Sequence, residues 1–486
     1  MVLIGPPGVG KSFLAGRLMW TLGGVDNRSM ERYQREAEDL RFPREHGFAF
    51  FFDRTAPEHR AGHTIQPQHP YILMTAKMRY GIMCPSGNLR YMKSFCRAVG
   101  KADLLLLVVS VTTFENDIKV IQDQLNICHS LSLSVQIIVG ITHCDKITEK
   151  IKLDESIKDI SATLLKMIEP YFSLLGFFYT DINGANYMSL SPQLNSPNTL
   201  LELMDRVPSE RYKNELSFTS DSQFLCPVDF SYKIGGIGTV VCGKVISGQL
   251  NVLKRPVVKV EGIADPVSIF TMESHHESIH TTEPYLYIGL NLKRVVATQF
   301  KTGMIISDTL CEPTSWITSK IKAQNGFTIR KGSTFSFHTA IGSSICQVDR
   351  ISADPNVYKD SHLQKDGVAT LHCKFLKPIY LFPYSKVPYL GSFVIASGAK
   401  LHATGTVEFA ANQSSFECLY EFWPKFHNYL QAGCSQSILG ILCVLKRLQA
   451  QGKVDVPQEP TKKIMQHLIA HWFLALQKSK QLQPKN

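Results

Sequence analysis

The chain has 486 residues, a net charge of +11 and a hydrophobic fraction of 44%. This composition excludes a disordered chain, which would combine low hydrophobicity with high net charge, and the length predicts about three domains. The positive charge suits a polyanionic partner such as a nucleic acid. Twelve cysteines without a C-x-x-C pair favour reduced thiols over a disulfide scaffold. Because no apolar run approaches the roughly 20 residues of a membrane span and no signal peptide is recognisable, we expect a cytoplasmic protein.

Up to residue 209, short apolar runs alternate with longer helical stretches. We predict strands at residues 1–4, 71–74, 103–110 and 135–141. Between and after them we predict helices at residues 11–22, 29–40, 89–99, 114–130 and 155–175. Strands that alternate with helices favour a doubly wound, mostly parallel sheet. Residues 1–209 are therefore expected to form an α/β domain.

From about residue 215, the sequence consists of short runs rich in valine, isoleucine and threonine, separated by glycine turns. We predict antiparallel strands at residues 238–246, 255–260, 334–340, 368–375 and 393–396. The region is long enough for two antiparallel β-barrels. We place them at residues 215–310 and 315–411.

Residues 412–486 are predicted to form a basic, helical extension. Within residues 460–480, the apolar side chains recur at helical spacing, and Thr461 after Pro460 suits a helix start. An apolar stripe of this kind most often packs on a neighbouring domain. The alternatives are a partner helix or RNA and, less favoured, a membrane surface.

The motif with the clearest chemistry lies between the first strand and the first helix. Residues 5–12, GPPGVGKS, fit the phosphate-loop pattern G-x-x-x-x-G-K-[ST] in its expected strand–helix context. Lys11 would reach the β- and γ-phosphates of a nucleotide, and the Ser12 hydroxyl would ligate Mg²⁺. A glycine-rich turn without a ligand is the disfavoured alternative. We assign these residues to the nucleotide site: Gly5, Gly8, Val9, Gly10, Lys11, Ser12 and the following Phe13.

The phosphate loop alone does not separate ATP from GTP. Residues 142–145, THCD, stand where a guanine-reading N-K-x-D would lie. The Asp145 carboxylate can accept both guanine N1–H and the exocyclic amine. Thr142 and His143 replace the asparagine and lysine, so the segment taken alone is more typical of a strand-end cap than of a base pocket.

Several segments resemble elongation factor 1-alpha, a translational GTPase. The most specific is YKIGGIGTV at residues 232–240, and residues 1 to about 411 are covered in all. Further matching segments lie at residues 23–28, 52–54, 62–65, 84–88, 101–103, 187–191, 274–277 and 388–393. The segments at 23–28, 52–54 and 62–65 resemble the beginning and the later parts of the family's first switch. The length of that switch favours the eukaryotic or archaeal type.

This resemblance implies a GTP-binding G domain followed by two β-barrels. It implies GTP/GDP and Mg²⁺ as cofactors, and aminoacyl-tRNA and the ribosome as partners. We also expect a guanine-nucleotide exchange factor as a partner and a monomeric protein. By position, Lys11, Ser12 and Thr64 would serve the phosphates and Mg²⁺. Asp145 and Ser191 would serve the guanine, with Thr142 and His143 beside them.

The chain departs from the family at the catalytic positions. Asn88 stands where the family has the histidine that orients the attacking water. Cys84, a soft ligand, replaces the aspartate that supports Mg²⁺, and Gly8 replaces the phosphate-loop aspartate. We therefore expect weakened GTP hydrolysis. The alternative is a pseudo-GTPase scaffold that binds RNA, the cytoskeleton or a protein partner without turnover. An unrelated phosphate-loop ATPase is a third possibility, against which the motif at 232–240 argues.

Overall fold

The computed structural model describes residues 1–65, 70–132, 135–180, 199–207, 222–275 and 277–412. Met1–Asn412 forms one compact unit and Gln413–Asn486 a second. Ser191 and the helix expected at 460–480 lie outside the described residues, so both stay predictions. The domain bounds given above stay predictions as well. Among the described residues, no helix combines the length and the apolar character that crossing a membrane requires.

The core of the amino-terminal domain is a parallel sheet, as the alternating pattern predicts. Its strands lie in the order β1-β4-β5-β6. The strands of this domain are β1 (Val2–Ile4), β2 (Tyr71–Met74), β3 (Arg79–Ile82), β4 (Leu104–Ser110), β5 (Gln136–Thr142) and β6 (Ser173–Tyr179). All residues of β4 and β5 are buried, because helices cover both faces of the sheet. The hairpin β2–β3 is antiparallel and reaches β1 through a bridge between Val2 and Met83.

Eight α-helices of this domain are described. They are α1 (Lys11–Thr21), α2 (Asn27–Asp39), α3 (Gly47–Phe52), α4 (Ala56–Ala61), α5 (Met92–Val99), α6 (Phe114–Leu131), α7 (Lys150–Ile168) and α8 (Leu200–Asp205). The helix predicted at 155–175 is wrong at its carboxyl end, because α7 stops at Ile168 and residues 173–179 form β6. The backbone N–H groups of Tyr171 and Phe172 both donate to the Ile168 carbonyl, which closes the helix there.

The predicted change to antiparallel sheets is confirmed. The first barrel has strands in the order β11-β10-β12-β8-β7-β13, with β9 beside β10. They are β7 (Leu225–Ile234), β8 (Gly238–Lys244), β9 (Val257–Val258), β10 (Val267–Ser274), β11 (Glu277–Ile279), β12 (Tyr287–Leu292) and β13 (Ile305–Ser307). The strand predicted at 255–260 is shorter than expected, because only the two residues of β9 pair with β10.

The second barrel is closed, in the order β14-β20-β17-β16-β21-β22, with a small sheet β15-β19-β18 beside it. Its elements are β14 (Thr314–Ala323), β15 (Phe327–Thr328), β16 (Thr334–His338), β17 (Ser343–Ala353), β18 (Tyr358–Lys359), β19 (His362–Leu363), β20 (Val368–Ile379), α9 (Pro388–Gly391), β21 (Ser392–Ser397) and β22 (Lys400–Ala411). Closure leaves no exposed strand edge on the six-stranded sheet.

The α/β domain packs directly on both barrels. Val394, Ala396 and Leu401 of the second barrel belong to the same buried cluster as α5 and α6. Towards the first barrel, the Lys101 Nζ lies 2.6 Å from Asp229 Oδ2, and both side chains are 9% exposed. These contacts place α5 between the parallel sheet and the two barrels.

Candidate nucleotide-binding site

The loop at residues 5–12, called the P-loop below, has a backbone that requires glycine. Gly5 has φ of 136°, and a Cβ there would lie 2.0 Å from the Val108 carbonyl oxygen of β4. Gly10 caps α1 in the left-handed region with φ of 85°. The loop therefore leaves β1 and turns tightly into the amino terminus of α1, where unpaired N–H groups and the helix dipole favour an anion.

Lys11 lies inside this loop. Its Nζ donates to the carbonyl oxygens of Gly5 at 2.9 Å and Pro6 at 2.6 Å. Burial lowers the pKa of Lys11 to about 8, and the negative charge of the neighbouring Asp53 opposes that shift. The ammonium group is therefore largely charged at neutral pH, in a buried position that suits a phosphate.

Four side chains next to Lys11 form one directed hydrogen-bond chain. The Thr64 hydroxyl donates its one hydrogen to Asp53 Oδ1 at 2.7 Å. Ser12 Oγ must therefore be the donor in the 2.9 Å contact between the Ser12 and Thr64 hydroxyls. The Cys84 Sγ, 3.5 Å from Ser12 Oγ, then donates its own hydrogen to Ser12. Burial raises the pKa of Cys84 to about 11, so the thiol is neutral at physiological pH. Burial also raises the pKa of Asp53 to about 6, against the hydrogen bond from Thr64.

The hydroxyl pair of this chain fits Mg²⁺. Octahedral ligands at about 2.0–2.1 Å from the ion place adjacent oxygens about 2.9 Å apart, and Ser12 Oγ lies 2.9 Å from Thr64 Oγ1. Asp53 is placed to orient the Thr64 hydroxyl. The neutral thiol of Cys84 does not fit a hard cation. No group of three or more His, Cys, Asp or Glu side chains in the described part of the chain could hold a metal by itself. The remaining oxygen ligands would therefore come from phosphate or water.

Residues 84–88, called the second switch below, lie against the P-loop. Residues 84–87 are buried, and a Cβ on Gly87 would lie 2.4 Å from the Gly5 carbonyl oxygen and 2.5 Å from Lys11 Nζ. Asn88 caps the turn Leu89–Tyr91, because its side chain accepts the Arg90 backbone N–H at 3.0 Å. The side-chain oxygen at the expected water-orienting position thus serves as a helix cap.

At the base end, Thr142 ties β5 to the P-loop. Its hydroxyl lies 3.0 Å from both the Val9 and the Val109 carbonyl oxygens, and the residue is fully buried. His143 adopts φ of 60°, and burial lowers the pKa of its imidazole. Asp145 follows in the turn Cys144–Lys146 and is exposed. An exposed carboxylate at the same sheet edge as the P-loop is free to meet a base.

The other residues assigned to the nucleotide site are either glycines of the loop or buried apolar residues. Gly8 and Gly10 lie in the loop itself, where Gly8 has open space around its Cβ position. Val9 and Phe13 are buried in the core, and the Phe13 ring packs edge-on against Phe48 at 5.5 Å. Only the backbone of Val9 and Phe13 can therefore face a ligand.

The sequence analysis assigned no role to two residues of the candidate site. Asp53 lies in the matching segment 52–54, and its carboxylate accepts the Thr64 hydroxyl. Gln124 of α6 is fully buried and touches both the P-loop and the second switch. Its signal was available in the sequence, because a glutamine among the apolar positions Ile121, Leu125 and Cys128 of one helix face needs buried polar partners.

Comparison with known proteins adds the family. Residues 1–333 match the model described as the elongation factor Tu GTP binding domain. The GTP-bound GTPase-like domain of Ski7 from S. cerevisiae superposes with a TM-score of 0.64 at 15% identity, covering 84% of this chain and 96% of that domain. SelB from Methanococcus maripaludis, in complex with the GTP analogue GppNHp, gives 0.57 at 14% identity, covering 85% of this chain and 80% of SelB.

A bacterial selenocysteine-specific elongation factor, EF-Sec, gives a TM-score of 0.58 at 16% identity and covers 88% of this chain. This chain spans only 62% of the length of that factor. At such identities, the three structures establish a shared fold. Because the family model matches 333 of the 486 residues, the chain belongs to the elongation factor Tu GTP-binding domain family and has the fold of a translation-factor GTPase.

Proposed function

We propose that the protein binds GTP and GDP together with Mg²⁺ and hydrolyses GTP slowly, as a divergent relative of elongation factor 1-alpha of the eukaryotic and archaeal type. One observation carries the proposal: a buried, charged Lys11 lies inside the P-loop beside two hydroxyls with the spacing of adjacent Mg²⁺ ligands. Lys11 stabilises phosphate charge, Ser12 and Thr64 hold Mg²⁺, and Asp53 orients Thr64. The bound Mg²⁺ would neutralise the charge that develops on the phosphates during transfer.

Guanine selectivity is assigned to Asp145. Its exposed carboxylate matches two adjacent donors of guanine, a pair that adenine does not offer. Thr142 holds the strand end in place through Val9, and His143 presents a neutral ring. Ser191 completes the proposed set by resemblance alone.

Weak hydrolysis follows from the second switch. A neutral thiol at Cys84 contributes no negative charge towards Mg²⁺, and the Asn88 side-chain oxygen caps a turn. Positioning the attacking water is a main protein contribution to GTP hydrolysis, so the chemical step is expected to slow while nucleotide binding persists.

Delivery of aminoacyl-tRNA to the ribosome is the cellular role we propose. A cavity of about 630 Å³ lies where the α/β domain meets both barrels, and its lining includes Arg90, Lys93, Arg97, Lys101 and His338. Among the described residues, Arg97 Nε and His338 Nδ1 lack hydrogen-bond partners. Lys101 is paired with Asp229, so Arg90, Lys93 and Arg97 give the cavity its positive charge, which suits a nucleic-acid phosphate. The same proposal includes a cytoplasmic, monomeric protein that uses an exchange factor.

The test is equilibrium binding of a fluorescent GDP to the purified full chain, competed with GTP and ATP in the presence and absence of Mg²⁺. We expect competition by GTP but not by ATP, and tighter binding with Mg²⁺. Asp145→Asn provides the matched variant, because it keeps the shape and should weaken guanine selectivity only. Equal competition by ATP would contradict the proposal.

A further inference from the structure

The side-chain amide of Gln124 joins two parts of the nucleotide site that are far apart in sequence. Its Oε1 accepts the Gly5 N–H at 2.7 Å, and its Nε2 donates to the Gly5 carbonyl at 3.0 Å and to the Gly87 carbonyl at 2.9 Å. Both amide hydrogens and one acceptor position are used. The orientation of the amide is fixed as well, since only Oε1 can face the N–H of Gly5.

The surroundings leave this contact little freedom. Gln124 has 0% exposure, and α6 packs in the same buried cluster as β4, β5 and the second barrel. A buried amide that lost these partners would lie unpaired among apolar side chains, which is costly. The position of the Gln124 side chain is therefore fixed by the packing of α6 in this buried cluster.

The second switch in turn has no room to move closer to the P-loop. The Cβ position of Gly87 lies 2.4 Å from the Gly5 carbonyl oxygen, so the two backbones already touch. The Asn88 N–H is also engaged, at 3.3 Å from Ser86 Oγ. These contacts fix the Gly87 peptide between Gln124 and the P-loop, and all of them are made by the protein itself.

We propose that Gln124 is a positioning residue that fastens the second switch to the P-loop, so that residues 84–88 keep one conformation whether GDP or GTP is bound. A ligand shifts a conformational equilibrium only through its different affinity for the two states. If the protein already holds residues 84–88 in one conformation, the γ-phosphate of GTP can shift their conformational equilibrium only slightly. The effect on the GDP and GTP states rests on the proposed nucleotide binding. The contacts of Gln124 with the P-loop and the second switch do not depend on that proposal.

Hydrogen–deuterium exchange of the full chain tests this in three states: without nucleotide, with GDP, and with a non-hydrolysable GTP analogue. In the wild type, we expect amides of residues 84–88 to exchange at rates within about twofold between the GDP and GTP-analogue states. A difference of about tenfold or more in the wild type would overturn the proposal without any variant.

Gln124→Met keeps the length of the side chain and removes its donors and its acceptor. We expect residues 84–88 to exchange about tenfold faster in the GDP state than in the GTP-analogue state of this variant. Its ratio of GTP to GDP dissociation constants should shift towards GDP by about threefold or more, because the released switch gains freedom with GDP only. A merely structural loss would lower the melting temperature and leave that ratio unchanged.

Gln122→Met is the matched control. Gln122 lies on the same helix, is half-buried, and donates to Asn126 Oδ1 at 3.3 Å. In the Gln122→Met variant, the amides of residues 84–88 should exchange at the same rates as in the wild type. If no nucleotide binds, the proposed function fails, yet the nucleotide-free arm still decides: faster exchange at 84–88 in Gln124→Met alone supports the fastening, and unchanged exchange in the folded variant overturns it.

Discussion

The P-loop and the second switch face each other across the same site, but they differ in how much of the family chemistry they retain. The P-loop side keeps a charged, buried Lys11 and a Ser12–Thr64 pair at 2.9 Å. The second switch presents a neutral thiol at Cys84 and a turn cap at Asn88. In the proposed function, nucleotide binding depends mainly on the P-loop side, and attack by water depends on the second switch. We therefore expect that binding and hydrolysis can be lost separately, even though the residues involved are neighbours.

The largest effect is expected from Lys11→Ala, which removes the cation from the better preserved side. The loss of charge-assisted bonds to phosphate should weaken GDP binding by about 100-fold or more. Fluorescent GDP titration checks this, with circular dichroism to show that the variant is folded. Retained affinity would mean that the P-loop does not hold the phosphates.

Ser12→Ala should abolish most of the increase in affinity that Mg²⁺ gives, because it removes one of the two hydroxyls with ligand spacing. We expect about a tenfold loss of GDP affinity in Mg²⁺ and little change in chelator. Cys84→Ala is the control on the other side of the contact and should leave the Mg²⁺ effect unchanged. An equal loss in both variants would assign the thiol to the metal site.

Restoring the second switch should raise the rate of GTP hydrolysis. We expect the double variant Cys84→Asp/Asn88→His to speed single-turnover GTP hydrolysis by about tenfold, since both an Mg²⁺-directed carboxylate and a water-orienting imidazole return. Asn88→Ala controls for the lost cap of the turn at Leu89–Tyr91. If that control accelerates hydrolysis equally, the cap rather than the missing imidazole limits the rate.

The smallest effect is expected at the base end. Thr142→Val keeps the side-chain volume and leaves the Val9 and Val109 carbonyls without their hydroxyl partner. The free energy of unfolding should fall by about 1 kcal/mol, measured by urea denaturation. Thr113→Val, at an exposed hydroxyl that donates to Asp117, should change it less. Equal losses would show that the tie between β5 and the P-loop contributes nothing specific.

The sequence predicted what short-range patterns encode. The glycine spacing of residues 5–12 predicted the P-loop, and apolar runs that alternate with helices predicted the parallel sheet. Short runs rich in valine, isoleucine and threonine between glycine turns predicted the barrels. The helix α3 was missed because Gly47–Phe52 is buried throughout and shows no periodicity. Strand β6 was misread for a related reason, since its apolar run follows α7 with few intervening residues.

Contacts between distant segments account for what the sequence could not predict at the site. Gln124 lies 119 residues from Gly5, and Asp53 acts through Thr64, 11 residues away. The pattern of one segment does not reveal which backbone groups another segment brings to it. The role of Asn88 as a cap also depended on the turn that follows it, which the sequence analysis had merged into a single helix.

The most direct test of the separation between binding and hydrolysis measures both on one preparation of wild-type protein: GDP affinity by fluorescence, and GTP hydrolysis with and without ribosomes. We expect Mg²⁺-dependent, guanine-selective binding together with hydrolysis that ribosomes stimulate weakly, and that Cys84→Asp/Asn88→His improves. Ribosome-stimulated hydrolysis at the rate of a conventional elongation factor, or hydrolysis without selective binding, would contradict the account.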